Sequence, residues 1–206
     1  MSKIIEDSIE SGIDKTFVVT GYKSKILKKY LKGKRVNTKI VDNHLYHKTD
    51  MLHSAVQGLK KINDNVIISY SDIIYDIEIL KRIIKLKSKN IVIPIKTDWT
   101  QVWKKRKKNV RDDAEDLVID NQNFLKTIGG KIIKKYPKGQ YMGIIYIPKL
   151  IIPKILKIYK KYKINKMQMS NFLNFLIELG FKVKVIKTKK NWYEFDDLQD
   201  YKNFFK

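Results

Sequence analysis

Short apolar runs rich in β-branched residues alternate along this chain with segments of helical spacing. Phe17-Val18-Val19-Thr20 predicts a strand ended by Gly21, with a helix over 24–31 behind it. Lys39-Ile40-Val41 predicts a second strand, and Thr49 or Asp50 caps a helix reaching residue 61. A buried strand over 65–69 and a helix over 77–86 follow, then a strand over 90–95 ended by Pro94 and the Thr97-Asp98 turn. In the middle, Leu117-Val118-Ile119, Lys131-Ile132-Ile133 and residues 141–147 predict strands. Turns are expected at Asn121-Gln122-Asn123, Gly129-Gly130 and Lys138-Gly139. Helices over 148–162 and 168–179 come next, the second closed by Gly180. Residues 182–186 alternate as a strand, 192–195 form a short one, and 198–205 a closing helix.

Strands alternating with helices predict an α/β fold: a mainly parallel, doubly wound sheet with a small antiparallel insertion. No repeat or linker divides the chain, so residues 1–206 are expected to form a single domain. In such sheets ligands sit beyond the C-terminal ends of the strands, where the winding reverses. Asp72, in Ser69-Tyr70-Ser71-Asp72-Ile73, follows a strand at such an end.

Composition narrows the classes. A hydrophobic content of 43% fits a folded globule, and the absence of cysteine excludes disulfides and thiolate metal sites. The most apolar stretch, 142–156, is interrupted by Pro148, Lys149, Pro153 and Lys154, so no membrane insertion is expected; with no leader-like start, a cytoplasmic location is. The net charge of +23 is almost all lysine, arginine being confined to Arg35, Arg82, Arg106 and Arg111. A dedicated nucleic-acid binder would use more arginine for bidentate phosphate and base contacts, which disfavours that partner. The excess, including the knot Lys104-Lys105-Arg106-Lys107-Lys108, reads mainly as solvated surface.

Two carboxylates carry the candidate chemistry. Asp72 at a strand end and Asp196 in Trp192-Tyr193-Glu194-Phe195-Asp196 have the residue type that Mg2+ needs when its other ligands are phosphate oxygens. The other reading makes Asp72 a turn cap, and Asp196 or Asp197 the cap of the last helix. On a strand, Trp192, Glu194 and Asp196 share one face. Asp98-Trp99 pairs an acid with an aromatic that suits an ammonium group, and Trp103, Tyr141, Trp192 and Tyr193 extend the aromatic set. Core packing is the other reading for most of these rings, and the preferred one for Trp103. The spacing of His44, His47 and His53 matches no standard zinc pair.

Taken in order, these segments resemble the sugar-phosphate and phosphocholine nucleotidyltransferases. Gly12-Ile13 with Val18-Val19-Thr20-Gly21-Tyr22 is similar to an early family stretch, and Asp42-Asn43, Tyr46, Thr49-Asp50-Met51 and Ser54 to the segment after it. Ser69-Tyr70-Ser71-Asp72-Ile73 and Thr97-Asp98-Trp99 look most like cytidylyltransferases that activate phosphocholine or 2-aminoethylphosphonate. Gly139-Gln140-Tyr141-Met142-Gly143 and Trp192-Tyr193-Glu194-Phe195-Asp196 are similar to later family motifs. The resemblance implies a nucleotide-diphosphosugar-transferase-like fold, with Mg2+ as cofactor held by Asp72 and Asp196. It implies an NTP, CTP favoured, and a small phosphorylated acceptor as partners. Asp98, Trp99, Tyr141, Trp192 and Glu194 would border the acceptor; Asn43 and Ser54 would lie towards the nucleotide.

One departure stands out. Family members open with a strand, a glycine-rich phosphate-cradling loop and a Lys-Pro pair, and here the first helix leads directly into the equivalent of their second strand. The expectation is an N-terminally incomplete unit, completed from upstream sequence or by a separate fragment. The alternatives are an inactive remnant or scaffold subunit, and a basic nucleic-acid-binding protein; the protein partners to expect are that separate fragment or further copies in a homo-oligomer.

Overall fold

A computed structural model describes residues 1–206 except 34–37, 107, 108, 134, 165 and 206. The chain opens with α1 (Ser2–Glu10), β1 (Thr16–Thr20), α2 (Ser24–Lys32), β2 (Thr38–Asp42) and α3 (Met51–Leu59). It continues through β3 (Val66–Ser69), β4 (Ile73–Tyr75), α4 (Glu78–Lys85), β5 (Ile91–Lys96), α5 (Trp99–Arg106) and α6 (Val110–Asp113). A hairpin, β6 (Glu115–Ile119) and β7 (Leu125–Lys131), precedes β8 (Gln140–Tyr141) and β9 (Ile144–Ile147). The last elements are α7 (Ile152–Lys161), α8 (Met169–Glu178), β10 (Val183–Thr188), β11 (Trp192–Glu194) and α9 (Leu198–Phe204).

The main sheet has the order β10-β5-β9-β3, with β8 pairing β5. β10 runs parallel to β5, whereas β9 is antiparallel to both β5 and β3. Alternation along each strand sends side chains to opposite layers. Ile91, Ile93, Ile95, Ile145 and Ile147 pack with α3, α7 and α8. Val92, Ile144 and Tyr146 pack on the other face with α4, α5 and the β4–β11 pair. All six residues of β5 are buried, which explains its unbroken apolar run. The α/β sandwich is as expected, except that β1 and β2 form their own parallel pair apart from the main sheet.

Several local expectations are corrected. Pro94 does not end its strand: β5 continues to Lys96, with Pro94 in parallel register opposite Ile186. Gly129 and Gly130 lie inside β7 rather than in a turn, both at positive φ, so that strand runs earlier than residues 131–133. The 141–147 run is split by Gly143 at φ +72°, where a Cβ would come within 2.9 Å of the Tyr70 ring. Helix α5 lies where none was predicted, and it matters most for the site.

Candidate active site

The short antiparallel pair β4–β11 assembles the site. Its register sets Glu194 opposite Ile73, and the Phe195 amide donates to the Asp72 carbonyl at 2.9 Å. Phe195 therefore stands against Asp72, with Asp196 next along, although 124 positions separate the two acids in the chain. Burial foremost raises the Asp72 carboxyl above its ordinary range; a backbone hydrogen bond opposes the rise and the negative charge of Asp196 adds to it. Both residues nonetheless keep solvent-exposed surface, so a cation can reach them. Capping of α9 falls to Asp197, whose side chain accepts from the Asp200 amide at 2.9 Å.

Glu194 leans into the same cluster. Burial foremost, then the charge of Asp196, pushes its carboxyl up to about 7, against an opposing pull from Arg106. Because the folded protein holds this proton more tightly than the unfolded chain, stability should fall as pH rises from about 4.5 to 7. The Glu194 contribution to that fall is on the order of 3 kcal/mol. Glu194→Gln should flatten urea-unfolding stability across this window. A slope equal to wild type would remove Glu194 from the cluster.

Arg106 is the residue that sequence reasoning missed. It is 1% exposed at the end of α5, its ring-side face over Trp103 at 5.2 Å. Nε donates to Asp200 Oδ1 at 3.0 Å, Nη2 donates to Asp196 Oδ2, and Nη1 faces Asp113 and Glu194 at 3.4 and 3.5 Å. Burial alone would favour the neutral guanidine. Asp200, Asp196 and Asp113 outweigh it and hold the guanidinium above its ordinary value. The knot read as solvated surface thus contains a buried ion-pair hub; Lys107 and Lys108 lie outside the described residues. Trp99, Val102, Trp103 and Arg106, all buried, fall at i, i+3, i+4 and i+7, a helical stripe that was legible in advance.

The remaining candidates divide. Tyr141 packs edge-on against Tyr70 (5.9 Å between centroids), and its hydroxyl is raised well above the usual range, by burial first and then by Tyr70. Charges on Glu115 and Glu194 act on both tyrosines, and Asp72 also acts on Tyr70. Trp99 and Trp192 are core rings rather than open ligand faces: their indole N–H groups donate to Pro137 and Met142 carbonyls at 3.1 and 3.0 Å. Trp192 stacks on Trp103, so these rings back the site from behind. Asp98 pairs with Lys96 at 2.9 Å beyond the end of β5. Asn43 and Ser54 join each other at 3.0 Å, and the Asn43 amide donates to the Thr20 carbonyl, tying the end of β2 to β1 and α3.

Comparison with known proteins places this geometry. The chain is 29% identical over 219 residues to a CTP:phosphoglutamine cytidylyltransferase of Campylobacter jejuni subsp. jejuni serotype O:2, covering 96% of this chain and 85% of that protein. It superposes on an inositol-1-phosphate CTP transferase from T. maritima with a TM-score of 0.74 (16% identity, 96% of this chain and 76% of the other). The CTP:phosphocholine cytidylyltransferase of Streptococcus pneumoniae gives 0.70, at 17% identity over 98% and 82% of the two chains. The fold is a nucleotidyltransferase fold. A UDP-glucose pyrophosphorylase complexed with UDP-glucose (TM-score 0.73, 15% identity, 96% and 81% covered) shares it. No protein-family model matches this nucleotidyltransferase-like chain. The fold expected from the sequence resemblance is upheld, and the likeness to a cytidylyltransferase agrees with it.

Proposed function

We propose that this nucleotidyltransferase-like protein transfers a cytidylyl group from CTP to a small phosphorylated acceptor, releasing pyrophosphate. An acceptor phosphate or phosphonate oxygen forms a bond to the α-phosphorus as the bond from that phosphorus to the bridging oxygen breaks, and the electron pair leaves with pyrophosphate. The observation that carries this reading is the β4–β11 pairing, which sets Phe195 against Asp72 and brings the charge of the adjacent Asp196 to bear on the Asp72 carboxyl.

Among the described residues no group of three or more acidic or histidine side chains is arranged as a complete metal cage. A pair of accessible carboxylates fits Mg2+ in this chemistry, because phosphate oxygens and water complete its shell. Asp72 and Asp196 would hold it, and its contribution when bound is to neutralise charge building on the phosphates. Arg106 holds the Asp196 carboxylate in place from behind. Glu194, Tyr70 and Tyr141 border the acceptor side, where acid and aromatic ring suit an acceptor with a polar or cationic end, such as phosphocholine, an aminophosphonate or phosphoglutamine. Sugar phosphates are the neutral alternative. Among the described residues no helix is long and apolar enough to cross a membrane, which fits our proposal of a cytoplasmic enzyme supplying activated groups for surface-polysaccharide decoration.

The direct test is pyrophosphate release from CTP, Mg2+ and each of these acceptors, together with Mg2+-dependent CTP binding. Release with one acceptor supports the reading. Folded protein with neither release nor CTP binding, both alone and with an added N-terminal segment carrying a glycine-rich phosphate loop, overturns it and favours a silent scaffold.

A further inference from the structure

Helix α4 and the link from β10 to β11 face each other across an open groove of about 810 Å³. Each wall brings three exposed cations: Lys81, Arg82 and Lys85 from α4, and Lys187, Lys189 and Lys190 from the end of β10 and the link. The buried Ile79 and Ile186 form the floor between them. Arg82 pins the two walls together, its Nη1 donating to the Lys187 carbonyl at 2.9 Å.

The charges of this groove are unevenly answered. Two acids line it, and both are matched: Asp76 lies 3.7 Å from Lys190, and Glu78 lies 3.3 Å from Lys81, which also meets Glu10 at 3.6 Å. Lys85, Lys187 and Lys189 have no ion-pair partner among the described residues. The C-terminal dipole of α4 accounts for Arg82 and Lys85, which lie in its last turn, but not for the lysines of the opposite wall. Cations gathered in a concave space repel one another and raise the local concentration of anions. That convergence separates these six side chains from the lysines spread over the rest of the surface.

We propose that this groove is a docking site for an acidic polypeptide segment of a partner protein. Lysine ammonium groups on flexible stems act as point charges, suited to carboxylates that arrive in no fixed orientation. None of the twelve lining residues is aromatic, so bases have no ring to stack on, and the one arginine already has Nη1 on a carbonyl; both features disfavour nucleic acid. A second copy of this chain, itself at +23, is repelled. With eight residues α4 is about 12 Å long, which matches about four residues of extended peptide. The groove lies at one end of β4–β11, where the Asp76 amide donates to the Asn191 carbonyl at 2.9 Å; Asp72 and Phe195 lie at the other. A segment docked here leaves the carboxylate cluster open, and the inference stands whether or not the cytidylyl-transfer reading does.

The test titrates the 206-residue chain into a fluorescein-labelled octapeptide of alternating Asp and Glu, at about 0.15 M salt, where exposed charges are screened beyond about 8 Å. Anisotropy gives the affinity, and amide chemical shifts of the wild-type protein should change in residues 78–85 and 186–191. The triple variant Lys85→Glu, Lys187→Glu, Lys189→Glu should weaken binding at least tenfold. The same charge change on α7, at the exposed Lys154→Glu, Lys157→Glu, Lys160→Glu, should weaken it less than twofold. Four results would overturn the proposal: no peptide binding, shifts lying outside the groove, equal losses from the two triples, or a groove dependence shown by duplex DNA or phosphatidylserine vesicles and not by the peptide.

Discussion

Asp72→Asn is expected to abolish Mg2+-dependent CTP binding and pyrophosphate release while leaving the folded protein as stable as wild type or slightly more so. Asn keeps the shape and removes the negative charge. If Asp72 is half of the cation site, losing it should cut turnover on the order of 10³-fold, or about 4 kcal/mol of transition-state stabilisation. Stability moves the other way. Burial and Asp196 raise the Asp72 carboxyl, so its charged form costs the folded state energy at neutral pH, and a neutral isostere relieves that cost. A residue kept against its own contribution to stability marks a functional site better than its position does. Calorimetry and a pyrophosphate assay on one preparation decide the matter. Activity within tenfold of wild type, or a lower melting temperature, would make Asp72 structural.

The second large effect belongs to Arg106. Arg106→Leu takes the guanidinium away from Asp200, which is 0% exposed, and from Asp196, Asp113 and Glu194 around it. Removing one partner of a buried ion network costs roughly 3–5 kcal/mol, mostly from stranding the other charges. The loss should be largest above neutral pH and shrink near pH 5, where Glu194 takes up a proton. Arg106→Lys should rescue only part, because one ammonium cannot bond Asp200 and Asp196 as the planar fork does. Denaturant titrations at pH 5 and 8 measure this. A penalty under 1 kcal/mol at pH 8 would show the network is solvated rather than buried.

What the sequence disclosed follows from which interactions are local. β5 and α4 were readable because an apolar run or a helical stripe is set by neighbouring residues. The nucleotidyltransferase likeness was readable because short motifs fell in family order. β4 was not, since three residues cannot display a period and this strand exists only through its pairing with β11. Pro94 misled because it breaks ladders in general, and a parallel partner tolerates it here. Arg106 was hidden by composition: four lysines around it suggested solvent, while its stripe with Trp99, Val102 and Trp103 showed a buried face. Trp99 and Trp192 attracted a ligand role because a sequence does not reveal which ring faces inward.

The pairing of β4 with β11 also sets a timetable for biosynthesis. Of the two proposed cation ligands, one follows β3 and the other, with the Asp200 that anchors Arg106, follows β11, 124 positions later. A nascent chain can pair β3, β5 and β9 and still lack the second proposed cation ligand until β11 has emerged. Cleavage between β10 and β11 would take that ligand, and the anchor of Arg106, from an otherwise folded molecule.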